Sequence, residues 1–102
     1  MTWKRTDNNQ TQIVQTLRKL GATVFIASGV GHGFPDLVVK LRDRVYLVEV
    51  KDGNRPPSQQ KLTACEVEFH RQWAPCVVII NSVESAIEFV NKEANNARIT
   101  MP

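Results

Sequence analysis

Apolar residues near the start of the chain recur at the spacing of a helix. They lie at three- and four-residue steps: Ile13, Val14, Leu17 and Leu20. Such a pattern predicts one apolar face on an amphipathic helix. Asp7 or Asn8 can cap its start, because a short polar side chain accepts hydrogen bonds from the first free N–H groups. Gly21 is placed to end it in a left-handed conformation.

Four short apolar runs are typical of strands. They cover residues 22–27, 36–41, 44–50 and 76–80. The first three follow one another with only loops between them, and the polar connection between residues 41 and 44 suits a hairpin. These three runs therefore predict an antiparallel meander. The fourth follows a helical segment, so it can join the sheet in parallel through a right-handed connection.

Two further helices are predicted in the second half of the chain. The first should cover about residues 59–73, where apolar residues again recur at helical steps: Leu62, Cys65, Phe69 and Trp73. Ser58 can cap its start, and Pro75 stops it. The second should begin after Ser82 and continue to about residue 92.

The element order predicts a single α/β domain over residues 1–102. It is helix, three strands, helix, strand and helix, which folds as a mixed four-stranded sheet flanked by helices. A chain of 102 residues is long enough for one modest hydrophobic core. Residues 1–6 and 95–102 are expected to be loose tails.

Charge and composition narrow the class of protein. The net charge is +3, and the basic residues are concentrated in residues 1–61, which is compatible with a nucleic-acid-binding face. No apolar run approaches the roughly 20 residues that cross a membrane. No signal peptide is expected, because no apolar segment follows residues 1–5. Cys65 and Cys76 lack metal-ligand spacing, so we expect reduced thiols in a cytoplasmic protein.

Three charged residues stand where the two central strands should be buried. Asp36 opens one run, while Glu49 and Lys51 close the next and should project from the same face of their strand. Pairing of the two runs as a hairpin brings Asp36 near Glu49. Two carboxylates at a sheet edge suit Mg²⁺ or Mn²⁺, with the Val50 backbone carbonyl as a further ligand. The alternative is a strand-end ion pair with Asp36 as a turn residue.

The spacing of these residues resembles a known nuclease signature. Pro35-Asp36, twelve intervening residues and Glu49-Val50-Lys51 resemble the motif of the PD-(D/E)xK nuclease superfamily, whose restriction-endonuclease-like core has the same element order. Within that superfamily the chain is similar to the VRR-Nuc family, especially its small stand-alone phage and prophage members. The segments that carry this resemblance are 7–18, 33–37, 46–53, 56–58 and 62–73.

The resemblance implies a metal-dependent DNA endonuclease that hydrolyses phosphodiester bonds. It further implies a homodimer that cuts branched DNA such as Holliday junctions, in the cytoplasm of a bacterial host. Asp36 and Glu49 would hold the metal, and Lys51 would be the catalytic lysine. The family often has a glutamate on the first helix, and alignment puts Gln12 at that position, with Asp7 as an alternative ligand.

Four residues outside this motif are candidates for contacts with DNA. They are Arg55, Lys61, His32 and Gln60. Arg55 and Lys61 flank the turn after the motif and can bind phosphates without reading sequence. Two other functions remain open: a nuclease fold that binds DNA with weak or absent catalysis, favoured by Gln12, and a small α/β interaction domain whose charged cluster is structural.

Overall fold

Four strands and three helices make up the fold. The computed structural model of the chain describes residues 3–100, with side chains described for residues 9–95. The strands are β1 (Thr23–Ile26), β2 (Leu37–Leu41), β3 (Arg44–Val50) and β4 (Val77–Ile80). The helices are α1 (Trp3–Lys19), α2 (Ala64–Trp73) and α3 (Val83–Thr100), with a short 3₁₀ turn at Pro57–Gln59. None of the described helices is long and apolar enough to cross a membrane.

The sheet has the strand order β1-β2-β3-β4. β1, β2 and β3 form an antiparallel meander, and β4 pairs with β3 in parallel. The predicted mixed sheet flanked by helices is therefore confirmed. A two-residue loop joins β2 to β3, so that Leu41 pairs with Arg44, and Arg42 in this loop has a φ of 60°.

The hydrophobic core lies on one face of the sheet, under α1 and α3. Strand residues alternate between the two faces, and the core side chains of the strands are Val24, Leu37, Val39, Leu41, Val48, Val50 and Ile80. α1 contributes the predicted Ile13, Val14 and Leu17, whereas Leu20 is 41% exposed. Ala86, Phe89 and Val90 complete the core from α3.

Both outer helices are longer than the sequence predicts. α1 begins at Trp3, before the expected caps at Asp7 or Asn8, and α3 continues to Thr100 rather than ending near residue 92. Residues 3–6 and 95–100 are therefore helical instead of loose, while residues 1–2 and 101–102 lie outside the described range. The apolar periodicity marks only the part of each helix that packs on the sheet, because polar turns beyond it leave no such signal.

The predicted ends of two helices are confirmed by their hydrogen bonds. The N–H groups of Gly21 and Ala22 donate to the carbonyls of Arg18 and Leu17, at 3.1 and 3.0 Å, and Gly21 has a φ of 100°. This is the Schellman arrangement that favours glycine after a helix. At the start of α3, Ser82 Oγ accepts from the N–H of Ser85 at 3.0 Å.

The second helix begins later than expected. Ser58 lies in the 3₁₀ turn, and α2 is capped by Thr63. Thr63 Oγ1 accepts from the N–H of Glu66, while the Glu66 carboxylate accepts from the N–H of Thr63 at 2.8 Å. This reciprocal capping box satisfies two free donors at once, which the Ser58 position does not offer.

The second face of the sheet is only partly covered. Phe25, Val38, Leu47 and Val77 form one row across all four strands, since each pairs with the next in register. Several large apolar side chains on this face are exposed: Phe25 by 67%, Val45 by 56% and Ile79 by 47%. No residue of α2 is buried.

The loop before β2 packs closely against α2. Gly33 has a φ of 80°, and a Cβ built there would lie 2.6 Å from the backbone oxygen of Cys65. Phe34 packs edge-on against Phe69 of α2, with ring centroids 5.4 Å apart. Only glycine fits this approach, so Gly33, two residues before Pro35, determines how near the helix can come.

We predict that Gly33→Ala destabilises the fold more than Gly31→Ala. Gly31 has the same φ of 80° but has open space around its Cβ position. Gly31→Ala should therefore cost only backbone strain, about 1 kcal/mol, and Gly33→Ala should add about 1–3 kcal/mol of overpacking. Urea unfolding of the two variants measures the difference, and equal midpoints would show that α2 does not rest on Gly33.

Candidate active site

Two carboxylates meet at one end of the sheet. Leu37 pairs with Val48, so Asp36 and Glu49 lie opposite each other on the face away from the core. Asp36 Oδ2 accepts a hydrogen bond from the N–H of Val50 at 2.9 Å, which fixes its orientation. The two carboxyl groups are close enough for each to affect the pKa of the other. The structure thus brings together the pair predicted from sequence.

Among the side chains that the structure describes, Glu49 is the one charged group that is buried. It is 4% exposed, and its Oε1 has no hydrogen-bond partner among the described residues. Burial, followed by the nearby charge of Asp36, raises the pKa of Glu49 to about 9. Burial likewise raises the pKa of Asp36. Without a cation the pair therefore retains a proton that a carboxyl group in water would have lost.

Lys51 lies between two carboxylates. Its Nζ is 3.6 Å from Glu49 Oε2 and 3.0 Å from Glu66 Oε1. Burial alone would lower the pKa of Lys51, but its hydrogen bond and charge interactions with Glu66 and Glu49 outweigh that effect and raise the pKa. The lysine is therefore a fixed cation, rather than a base with a depressed pKa.

Glu66 is a site residue that sequence reasoning did not assign. One oxygen, Oε1, accepts from both Lys51 Nζ and the N–H of Thr63, so the cap of α2 is joined to the lysine. Hydrogen bonds from Thr63 and Lys51 outweigh burial and lower the pKa of Glu66, which keeps it ionised. The signal in the sequence is Thr63-x-x-Glu66, the pattern of a capping box.

The structure brings Gln10, rather than Gln12, to the carboxylates. Gln10 lines their cleft and shares a helix face with Ile13 and Leu17, whereas Gln12 is exposed and lines a separate cavity. Residues two positions apart in an α-helix point in directions about 200° apart, so Gln10 and Gln12 cannot both face the same site. The alignment predicts Gln12 at the carboxylates, and the structure places it in the separate cavity instead. The side chain of Asp7 is outside the described residues.

The cleft has a volume of about 400 Å³ and is mostly polar. Its lining residues come from α1, the strand ends and the following turn: Gln10, Asp36, Glu49, Val50, Lys51, Asp52, Arg55 and Gln59. Arg55 lies 3.5 Å from Asp52 and donates to Gln59. A cationic guanidinium at the rim suits a substrate that carries negative charge.

The other predicted DNA contacts lie outside this cleft. Gln60 Nε2 donates to the Arg55 carbonyl at 2.7 Å, and Gln60 Oε1 accepts from Asn81 at 3.2 Å, so Gln60 braces the turn. Lys61 is exposed. His32, with a φ of 58°, borders a shallow groove beside Cys65 and Phe69.

The donor set of the cleft fits a hard divalent cation. The unpartnered Oε1 of Glu49 and the carboxylate of Asp36 are oxygen ligands, and Val50 lines the same cleft. No group of three or more His, Cys, Asp or Glu side chains in the described part of the chain could hold a metal. Two carboxylates and a carbonyl, with water completing the shell, is an arrangement that Mg²⁺ accepts.

Comparison with solved structures identifies a similar fold. A structure described as a VRR_NUC domain matches with a TM-score of 0.58 and 29% sequence identity, covering 84% of this chain and 94% of that chain. This match supports membership of the VRR-Nuc family. The resemblance seen in the sequence is thereby confirmed, as is the restriction-endonuclease-like fold. No curated protein matches this chain. No family model matches it either.

We predict that Glu49→Gln stabilises the metal-free protein increasingly as pH rises. The folded-state pKa of Glu49 is raised from 4.5 to about 9, so the stability linked to this group is full below the lower value and is lost towards the higher one. The gain over wild type should approach about 1–3 kcal/mol, the usual cost of an unsatisfied buried polar group.

Urea unfolding with chelator, at several pH values, tests this prediction. Glu88→Gln, at an exposed position of α3, is the matched control and should show no such trend. A gain from Glu49→Gln that stays constant with pH would contradict the prediction.

Proposed function

We propose that this VRR-Nuc domain is a metal-dependent endonuclease that hydrolyses DNA phosphodiester bonds. The observation that carries the proposal is the pairing of the half-buried Asp36 with the buried Glu49. Glu49 Oε1 has no hydrogen-bond partner among the described residues, and Lys51 Nζ lies 3.6 Å from Glu49 Oε2. Such a pair is destabilising in isolation and becomes favourable when a divalent cation binds. Family membership supports a nuclease.

Asp36, Glu49 and the Val50 carbonyl would hold Mg²⁺ or Mn²⁺. When bound, such an ion supplies a water of lowered pKa and a counter-charge for the phosphate. The N–H of Val50 holds the Asp36 carboxylate in place. Lys51 presents a fixed positive charge at the point where negative charge develops on the phosphate. The amide of Gln10 is hydrogen-bonded to Ser28 Oγ, and its second N–H can donate to water in the cleft.

DNA is the substrate that the charges around the cleft favour. Arg55 lies at its rim, and we propose that it binds a phosphate next to the one that is cut. Lys61 and His32 would extend this contact along the backbone, while Gln60 positions Arg55 through the turn. Phosphate contacts of this kind give affinity without reading sequence. In this proposal the protein acts in the cytoplasm of a bacterial host, encoded by a phage or prophage.

A second candidate function is a DNA-binding module with weakened catalysis. The observation that favours it is Gln10, because α1 brings a neutral amide to the cleft where a carboxylate would add a metal ligand. The two candidates differ in a single property, the rate of cleavage, and agree on the DNA-binding surface. One set of variants therefore separates them.

We predict that the protein cuts a labelled four-way junction and that Lys51→Ala lowers the rate at least about 100-fold, the usual cost of removing a charge that stabilises the transition state. The assay compares junction with linear duplex, and Mn²⁺ with chelator. Lys19→Ala, at an exposed position at the end of α1, is the control and should cut normally.

The remaining outcomes decide between the two functions. Junction binding without products, with cleavage appearing in Gln10→Glu but not in Gln15→Glu, would favour the weakened module. Gln15 is exposed on the same helix and controls for added charge. Absence of binding to any DNA would reject both functions.

We propose further that the protein acts as a homodimer through the open face of the sheet. Phe25, Val45 and Ile79 are about half exposed or more on this face. An interface between two identical copies must be self-complementary, and an apolar surface meets that condition without bringing like charges together. Two copies would present two clefts to a junction that needs a cut in each of two strands.

We predict that wild type sediments as a dimer and that Val45→Lys shifts it to monomer. The reason is that a lysine near the symmetry axis would face its own copy. Ile87→Lys, which alters a 38% exposed position on α3, should leave the dimer intact. Analytical ultracentrifugation measures both, and a wild type that stays monomeric at every concentration would reject the dimer.

A further inference from the structure

A second polar cavity lies beside the catalytic cleft. It has a volume of about 330 Å³, within the size range of small-ligand sites. Its walls come from α1, the turn after β3 and the start of α3: Asn9, Gln12, Gly53, Asn54, Asn81, Ser82, Val83 and Glu84. Four of the eight are carboxamides, and the one charged side chain among them is an acid. The proposed function assigns no role to this cavity.

A hydrogen bond separates this cavity from the cleft. Asn9 Nδ2 donates to the backbone carbonyl of Lys51 at 2.8 Å, so the side chain that walls the cavity contacts the residue that lines the cleft. Adjacent residues of the chain also line different sites. Asn9 and Gly53 line the cavity, whereas their neighbours Gln10 and Asp52 line the cleft. A ligand that fills the cavity is therefore separated from the backbone of Lys51 by a single side chain, that of Asn9.

Two of the four carboxamides have hydrogen-bonding capacity to spare. Asn9 bonds to Lys51, and Asn81 Nδ2 donates to Gln60 Oε1 at 3.2 Å. In contrast, the side chains of Gln12 and Asn54 form no hydrogen bond with the described residues, and both are exposed to the cavity. Each offers the NH₂ group of its carboxamide as a donor and the carbonyl oxygen as an acceptor to a ligand.

The electrostatics of the cavity disfavour an anion. Glu84 lies in its wall, and Ser82 Oγ already accepts from the N–H of Ser85, so the start of α3 is capped within the protein. A phosphate would meet a carboxylate there. A neutral ligand that both donates and accepts hydrogen bonds fits instead, and the edges of nucleobases have this property.

We propose that this cavity binds the base of a nucleotide adjacent to the phosphate that is cut, and that Gln12 and Asn54 contact the base edge. The inference rests on the proposed nuclease function, because the cleft supplies the neighbouring phosphate. Carboxamides pair well with base edges, since donor and acceptor lie side by side in both. Arg55 holds the backbone while the amides hold the base, so cleavage depends on the nucleotide beside the cut.

The test is a cycle that combines protein variants with altered substrates. Cleavage sites are first mapped on a junction with Mn²⁺. The nucleotide on each side of a mapped site is then replaced in turn by an abasic analogue. We expect wild type to show about a tenfold higher KM for one of the two abasic substrates, the loss that one amide-to-base contact implies, with kcat changed much less.

The variant Gln12→Ala/Asn54→Ala should cut intact and abasic substrates with the same KM. Gln15→Ala, on the exposed part of the same helix, should keep the wild-type difference. Wild type that ignores both abasic sites, or a double variant that keeps the full difference, would overturn the base-binding cavity while leaving the nuclease in place. If no Lys51-dependent cleavage occurs with any DNA, the proposed function itself fails and the inference fails with it.

Discussion

The pairing register of β2 with β3 is the constraint on which the rest of the site depends. The loop of Arg42 and Asp43 joins the strands so tightly that Leu37 must face Val48, and this puts Asp36 against Glu49. A slip of one residue would move every side chain to the other face of the sheet. The core would lose Leu37 and Val48, and the carboxylates would turn inward. Packing of the apolar face thus fixes the geometry of the charged one.

A second dependence joins the lysine to α2. Glu66 Oε1 accepts both from Lys51 and from the backbone that starts the helix, so the same carboxylate caps α2 and holds the Lys51 ammonium group. α2 buries no residue of its own. It is held by the close approach at Gly33, the aromatic contact of Phe34 with Phe69, and this ion pair. The order of the site and the docking of the helix are therefore linked.

The sequence allowed the mixed sheet, its antiparallel meander and the pairing of Asp36 with Glu49 to be predicted, because buried strands leave apolar runs in which a charge stands out. The sequence was less informative about which hydrogen-bond partner a polar residue has when several are near. Ser58 and Thr63 are both good caps, and only the Glu66 side chain that bonds back to Thr63 selects the second. That choice also decides the partner of Lys51, which strand spacing alone does not reveal.

Gln10 and Gln12 show the same limit on a helix. Both are polar glutamines in the middle of α1, and motif alignment without attention to the helical face selected Gln12, which does not line the cleft. The apolar positions Ile13 and Leu17 define the face that packs on the sheet, and extending that face by one turn reaches Gln10. The information was present in the periodicity, but the side of the helix that meets the cleft depends on how α1 crosses the sheet end, which is a tertiary property.

The neutral side chain of Gln10 has a physical consequence for the charge of the cleft. Asp36, Glu49 and Glu66 already bring three carboxyl groups to one lysine. Burial raises the pKa of the first two, and the charge of Asp36 raises the pKa of Glu49 further. A further carboxylate on α1 would add repulsion to this pair. An amide at this position adds hydrogen-bonding capacity without charge. Because Glu66 keeps Lys51 in place, the orientation of the lysine does not depend on a charge at Gln10, and the Asp36–Glu49 pair is spared further repulsion from α1.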